Sequence, residues 1–82
     1  MTNKHVVEWR YLEDWRRWNL WIDGHLVGSV EDYGGGEFGA HIGTFQHTFP
    51  RESGLDAAKL TVEAGSIQLI EAYQAWAAND PA

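Results

Sequence analysis

The stretch that decides the fold reads WRRWNLWIDGHLVGSVE and runs from Trp15 to Glu31. Two apolar, β-prone runs flank Asp23 and Gly24 within it. Asp-Gly between alternating hydrophobic residues is a strong hairpin signal, because a type I′ turn needs two residues that tolerate positive φ. The sequence therefore predicts two antiparallel strands joined by a two-residue turn.

The turn also predicts how the two strands pair. With two turn residues, the expected pairs are Ile22 with His25, Leu20 with Val27, and Trp18 with Ser29. Side chains alternate between faces along a strand, so these six share one face. The opposite face would carry Trp21, Leu26, Gly28 and Val30. Since both faces hold large apolar groups, we expect one to pack on the rest of the chain and the other to meet a loop, a second chain or a partner.

Further strand patterns lie on both sides of this hairpin. Residues 5–12 alternate, with Val7, Trp9 and Tyr11 on one side, and indicate a first strand. Residues 31–37 are polar and rich in glycine and are expected to form a flexible connection. Residues 38–43 alternate again and indicate a fourth strand. Residues 44–49 fit either a fifth short strand or an ordered loop, and we favour the loop.

The C-terminal part of the chain, residues 53–78, has the pattern of a helix. Its apolar residues recur at spacings of three and four and form one stripe, which we expect to lie on the sheet: Leu55, Ala58, Val62, Gly65, Leu69, Ala72 and Trp76. Gly65 allows either close packing on the sheet, which we favour, or a kink.

Strands followed by a helix indicate an α+β protein. The predicted fold is a four-stranded antiparallel β-meander followed by one long C-terminal helix packed on a sheet face (ββββα). Residues 1–82 would form a single domain, with the sheet and loops in 5–49 and the helix in 53–78. Leu60, Ile67 and Ile70 fall off the helix stripe. They would be buried in a homodimer, or covered by residues 44–49 or by the first strand.

Composition excludes several classes of function. The 82 residues contain no cysteine, so neither a disulfide nor a thiolate metal site is possible. The N-terminus does not resemble a signal peptide, and no apolar run approaches the roughly 20 residues of a membrane span. Twelve acidic against six basic residues give a net charge of −6, which disfavours nucleic-acid binding. We therefore expect a cytoplasmic protein of a bacterial host cell, without a membrane partner, whose acidic surface opposes a basic groove on another protein.

The residue types that carry chemistry do not form a recognisable site. None of the histidines has the local spacing of a zinc site: His5, His25, His41 and His47. The glycine run at 34–36 lacks the following helix and the lysine of a phosphate cradle. No serine has nucleophile-elbow context. The sequence predicts a protein that is not an enzyme, with no catalytic residues, metal or cofactor.

The acidic residues around the hairpin suggest a binding surface. Asp23, Glu31, Asp32 and Glu37 lie in its turns and the following connection. They form either an ordinary solvated surface or a charged rim that docks into a basic groove, in which case neighbouring aromatic residues would serve as anchors. The candidate partner-binding residues are Trp15, Trp21, Asp23, Glu31, Asp32, Tyr33 and Glu37.

Three segments together resemble small phage and prophage accessory proteins: Trp18 to Glu31, then Gly36-Glu37-Phe38-Gly39, then the alanine-rich helix from Leu55 to Trp76. In layout they are similar to some anti-CRISPR proteins of the type I systems, where a Trp-containing strand leads to an Ile-Asp hairpin, a glycine-rich connection, a short strand and a C-terminal helix. The resemblance implies a protein that binds a Cas subunit of a CRISPR surveillance complex and blocks DNA binding or nuclease recruitment.

The layout also resembles AP2-like and phage-integrase arm-binding DNA domains, which place a helix behind a three-stranded sheet. Those domains present basic and aromatic residues on the open sheet face. Arg10, Arg16 and Arg17 fit that pattern, whereas acidic residues such as Glu31 and Glu37 oppose DNA. A third alternative is a phage structural or assembly protein with a large apolar self-interface.

Overall fold

The computed structural model describes residues 5–43 and 47–78, the last three of these by their backbone alone. A five-stranded antiparallel sheet in the order β1-β2-β3-β4-β5 packs on one long helix. Its elements are β1 (Val7–Leu12), a 3-10 turn (Glu13–Trp15), β2 (Arg17–Ile22), β3 (His25–Gly34), β4 (Glu37–Ile42), β5 (His47–Thr48) and α1 (Leu55–Ala78). The α+β class, the antiparallel meander and the C-terminal helix are confirmed.

The prediction of four strands is wrong, because residues 47–48 form a fifth. In β5, Thr48 pairs with His41 and His47 pairs with Ile42. The Phe49 N–H then donates to the Ala40 carbonyl at 2.9 Å. A two-residue strand has almost no pattern of its own, so its pairing with β4 depends on tertiary contacts that sequence alternation does not reveal.

The hairpin turn is confirmed. Asp23 and Gly24 have φ values of 52° and 82°, and Ile22 pairs with His25 across the turn. The Asp23 carboxylate also accepts the backbone N–H of Val6 at 2.8 Å. The turn therefore anchors the chain that enters β1 as well as joining β2 to β3.

Beyond the turn, the predicted pairing is wrong by one residue because β3 contains a bulge. Trp21 pairs with Leu26, but Leu20 pairs with Gly28, so Val27 is the additional residue. Trp18 consequently pairs with Val30 rather than with Ser29. The bulge reverses the predicted faces, so that Gly28 and Val30 face α1 and Ser29 lies on the opposite side of the sheet.

The glycine-rich connection is shorter than predicted. β3 continues through Gly34, and only Gly35 and Gly36 form the turn into β4. The Asp32 carboxylate accepts the Gly34 N–H at 2.8 Å, which stabilises the end of the strand. Residues 31–34 are therefore part of the sheet.

The core lies between α1 and the centre of the sheet. Its fully or nearly buried apolar side chains are Leu20, Ile22, Val30, Ala40, Ile42, Ala58 and Val62. Glycines on both layers allow a close approach: a Cβ on Gly28 would lie 2.6 Å from Val62 Cγ1, and one on Gly65 would lie 2.6 Å from Ile42 Cδ1. The helix runs unbroken through Gly65, so this residue serves close packing and not a kink.

The face of α1 that meets the sheet differs from the predicted stripe in its second half. The contact positions advance in steps of four, through Ala58, Val62, Ser66 and Ile70. The predicted stripe continued through Leu69, because it followed apolar residues and therefore passed over the polar Ser66. In the structure Ser66 is buried and Leu69 is 56% exposed. The Trp76 side chain lies outside the described part of the chain.

The C-terminal part of the helix is exposed. The 24 residues of α1 span about 36 Å at 1.5 Å per residue, close to the roughly 33 Å of the ten-residue strand β3. Residues 71–75 are all exposed. The molecule is elongated, with extents of 49 × 23 × 22 Å.

Candidate interaction surface

The sheet face turned away from α1 carries charged and polar side chains together with two aromatic ones, Trp21 and Tyr33, and we call it the open face. Strand register and alternation place on it, among others, Glu8, Arg10, Arg17, Asn19, Trp21, Ser29, Glu31, Gly39, His41 and Thr48, and Tyr33 joins them through its contacts with Gly39 and His41. No second layer of secondary structure covers this face among residues 5–43 and 47–78.

Each arginine associated with the open face is paired with a glutamate. The nitrogen-to-oxygen distances are 2.6 Å for Arg10–Glu8, 3.3 Å for Arg17–Glu31 and 3.2 Å for Arg51–Glu37. The hydrogen bond from Arg10 lowers the pKa of Glu8. The exposed pairs Arg10–Glu8 and Arg51–Glu37 add little to stability, but in each pair the two charges cancel.

Two of these arginines also stack on aromatic rings. The Arg10 guanidinium lies 4.4 Å from the ring centroid of Trp21, and that of Arg51 lies 4.8 Å from the ring centroid of Tyr33. The Tyr33 ring in turn lies against Gly39, where a side chain would collide with it. Cation–π contacts of this type hold an arginine in one position while leaving some of its N–H donors accessible.

A buried histidine supports the centre of the open face. The side chain of His41 is only 4% exposed, and its Nε2 lies 3.2 Å from the Glu31 carboxylate and 3.4 Å from the Tyr33 hydroxyl. Its Nδ1 lies 3.1 Å from the Thr48 hydroxyl. Burial lowers the pKa of His41, although the nearby Glu31 carboxylate opposes this effect. Because a carboxylate can only accept, Nε2 is the nitrogen that donates to Glu31, and these contacts hold the side chains around the ring in place.

The structure places four of the predicted partner-binding residues on the open face, Trp21 near one end of β3 and the other three toward its far end. Trp21, Glu31 and Tyr33 lie on it, and Glu37 reaches it through its ion pair with Arg51. Trp15 lies apart from them, 68% exposed in the 3-10 turn between β1 and β2.

The other two predicted acidic residues lie elsewhere. Asp23 occupies the β2–β3 turn, where its carboxylate binds His5 at 2.8 Å. Asp32 is opposite Phe38 on the helix side of the sheet. Asp23 and Glu37 flank opposite ends of the ten-residue strand β3, about 30 Å apart at 3.3 Å per residue. The four acids therefore do not form one continuous rim.

Sequence reasoning missed the roles of Arg51 and His41. The alternation of β4 predicted that His41 lies on the other face of the strand from Ala40 and Ile42. The alternation did not predict that the His41 side chain is buried. Arg51 lies in a segment that had no strand pattern. It reaches Tyr33 because Glu52 pairs with Phe38 through two backbone hydrogen bonds of 2.9 and 3.0 Å.

The residues proposed for self-association are divided between two environments. Leu60 is 66% exposed on the outer side of α1. Ile67 and Ile70 pack against the core of the same chain. Their positions are thus already covered in part by the sheet.

Two broad properties follow from the described residues. No group of three or more His, Asp or Glu side chains in 5–43 and 47–78 is arranged to hold a metal ion. Within the same ranges, α1 is not apolar enough to cross a membrane.

No protein-family model, curated protein or solved structure matches this chain.

Proposed function

We propose that the protein is a non-enzymatic inhibitor that acts by protein–protein contact, with the open face as its binding surface. The observation that carries this proposal is the pair of arginine–aromatic stacks, Arg10 on Trp21 and Arg51 on Tyr33. Arginine, tryptophan and tyrosine are the residues most enriched at the energetic centres of protein interfaces. Here the two stacks lie on the same open face, about 20 Å apart along the strands, because Trp21 pairs with Leu26 and Tyr33 follows seven residues later in β3.

The support beneath these stacks favours tight binding. Ordering a side chain at an interface costs roughly 0.5–1.5 kcal/mol, and a side chain that is already ordered avoids much of that cost. Arg51 is held from two sides, by Glu37 and by the Tyr33 ring. Tyr33 itself rests on Gly39 and lies beside the buried His41.

The target that we propose is a bacterial defence complex, in the manner of the anti-CRISPR proteins whose layout the chain resembles. Such an inhibitor would work in the cytoplasm of the host cell and bind a Cas subunit of a type I surveillance complex. It would prevent that complex from binding DNA or from recruiting a nuclease. The net charge of −6 supports this choice, since it draws the chain toward basic, nucleic-acid-binding surfaces.

The proposal is tested by affinity capture with matched variants. The tagged protein is incubated with lysate that contains a type I CRISPR–Cas system, and retained proteins are identified by mass spectrometry. We expect stoichiometric recovery of a Cas subunit, strongly reduced for Trp21→Ala and Tyr33→Ala. Leu60→Ala, on the outer side of α1, is the control and should behave as the unmodified protein. A Cas subunit retained equally by all variants would exclude the open face, and capture of none would exclude the target.

A DNA-binding domain is the second candidate, because Arg10 and Arg17 occupy the sheet face that AP2-like domains turn toward DNA. For DNA binding, the ion pairs of Glu8 with Arg10 and of Glu31 with Arg17 would have to break. A mobility-shift assay decides between the two: DNA binding should weaken steeply with salt, and Glu31→Gln should strengthen it. Absence of a shift at low salt would exclude this candidate.

A further inference from the structure

Within residues 5–43 and 47–78, no strand pairs with the outer edge of β1. β1 is the terminal strand in the order of the sheet, and α1 packs chiefly on β3 and β4. Residues 7–12 contain neither proline nor lysine, and their pairing with β2 has no bulge. Proline, lysine and bulges are the usual means by which proteins protect a sheet edge.

The direction of the free backbone groups on β1 follows from the hydrogen bonds at its start. The Val6 carbonyl accepts the Asp23 N–H at 2.9 Å, so the polar groups of Val6 point toward β2. Successive residues of a strand alternate in this direction. The N–H and C=O groups of Val7, Trp9 and Tyr11 therefore point outward, away from the sheet.

We propose that β1 pairs with β1 of a second copy in antiparallel orientation, with the twofold axis at Trp9. In this register Val7 lies opposite Tyr11 of the second copy, and Trp9 lies opposite Trp9. All three outward-pointing residues then exchange hydrogen bonds with their counterparts, about six bonds in total.

The charges of β1 select this register over its neighbours. With the axis at Trp9, Glu8 lies opposite Arg10 of the second copy, and Arg10 opposite Glu8. A shift that pairs Val7 with Trp9 would place Glu8 opposite Glu8, and one that pairs Trp9 with Tyr11 would place Arg10 opposite Arg10. Like charges directly opposite each other destabilise a strand pair, whereas opposite charges stabilise it.

The remaining parts of the two copies fit this arrangement. α1 lies over β3 and β4, about three strand spacings of 4.8 Å from the axis, so the two helices would be about 30 Å apart. That distance far exceeds the 8–10 Å of helices in contact. The α1 side chains that reach closest to the axis are Glu63 and Lys59, which contact the Trp9 ring of their own chain. On the helix side, Val7 and Tyr11 are 37% and 50% exposed and would cover each other across the axis.

This inference does not require the target proposed above, although its register depends on Glu8 and Arg10, which also lie on the open face. In such a dimer the open faces of the two copies would form one continuous surface. Residues Glu8 and Arg10 would then lie at its centre. A dimer would present the partner-binding surface twice, with the two copies related by the twofold axis.

The test uses charge reversal in mixed samples. Glu8→Arg places two positive side chains on β1, and Arg10→Glu places two negative ones. Each variant alone should dimerise at least about tenfold more weakly than the unmodified chain, because both cross-strand pairs become repulsive. A mixture of the two variants should form a heterodimer with restored affinity. Sedimentation velocity over a range of concentrations measures the unmodified chain, each variant and the mixture.

A backbone test complements the charges. Val7→Pro removes an outward N–H that an edge strand does not need for its own fold, while Val7→Thr keeps it and preserves the side-chain shape. We expect Val7→Pro to be monomeric and Val7→Thr to dimerise. An unmodified chain that remains monomeric at the highest attainable concentration would overturn the proposal. So would a dimer that persists in Val7→Pro, or charge variants that fail to complement each other although both are folded by circular dichroism.

Discussion

Replacing Gly28 by alanine tests the bulge in β3, because the bulge alone brings this residue beneath the helix. A Cβ at Gly28 would lie 2.6 Å from Val62 Cγ1 and 2.8 Å from the carbonyl oxygen of His41. Ordinary carbon contacts are about 3.5–4.0 Å long, so the layers would have to separate locally by roughly 1 Å. Neither neighbour yields easily, since Val62 is fully buried and β-branched and the other atom belongs to the backbone of β4.

The expected loss of stability follows from two opposing terms. Overpacking a well-packed core costs about 1–3 kcal/mol. Replacing a strand glycine by alanine returns about 0.5–1 kcal/mol through reduced entropy of the unfolded chain. We therefore expect Gly28→Ala to lower the free energy of unfolding by about 1–2 kcal/mol. At 4–8 °C per kcal/mol for a domain of this size, the melting temperature would fall by roughly 5–15 °C.

Urea denaturation followed by tryptophan fluorescence measures this change, with thermal unfolding as a second readout. Gly54→Ser is the control, because nothing lies within 4 Å of a Cβ at that position and serine is at least as favourable as glycine at the N-cap of α1, so stability should not fall. If the strands paired without a bulge, Gly28 would lie on the open face and alanine would be tolerated. Unchanged or increased stability of Gly28→Ala would thus refute the assigned register and the close helix–sheet contact.

Three further outcomes are expected. Gly24→Val should lower the free energy of unfolding by more than about 1 kcal/mol, since a β-branched residue resists the φ of 82° at this turn; an unchanged melting temperature would contradict the turn. Gly65→Ala should cost less than Gly28→Ala, because its clash is with the flexible end of Ile42 and alanine favours helix by about 1 kcal/mol; a larger loss would show that this contact is rigid. NMR titration should give His41 a pKa below that of free histidine, because the ring is buried, and His5 a pKa above it, because of its hydrogen bond with Asp23. By linkage, the contribution of His41 to stability is lost as the pH falls below the ordinary histidine pKa. The contribution of His5 is lost as the pH rises through its raised pKa. Equal pKa values for the two histidines would contradict these environments.

Much of the architecture was predictable because its signals are local. The Asp23-Gly24 turn requires positive φ at two residues, and few other dipeptides supply it. The alternation in residues 7–12 identified the strand and the side shared by Val7, Trp9 and Tyr11. The long apolar periodicity after residue 54 identified the helix, although not the face of its second half.

The candidate surface was predictable only in part. Trp21, Tyr33, Glu31 and Glu37 were chosen from their positions near the hairpin, and the structure places them at the open face. Their partners were not predictable, since Arg51 is brought to Tyr33 by a bridge between residues distant in sequence. Whether the acids form one rim could not be predicted without the sheet. Asp23 and Glu37 both lie in connections next to β3, but these connections are at its opposite ends.

The sequence by itself determined where the chain turns and which segments are strand or helix, because those choices depend on φ preferences and periodicity within a few residues. The tertiary structure alone decided the bulge at Val27, and through it which side of β3 faces the core. A bulge changes the face of every following residue at the cost of one unpaired residue. Packing decides the outcome: with the bulge, Val30 is buried and Gly28 admits Val62 of the helix, contacts that no local pattern contains.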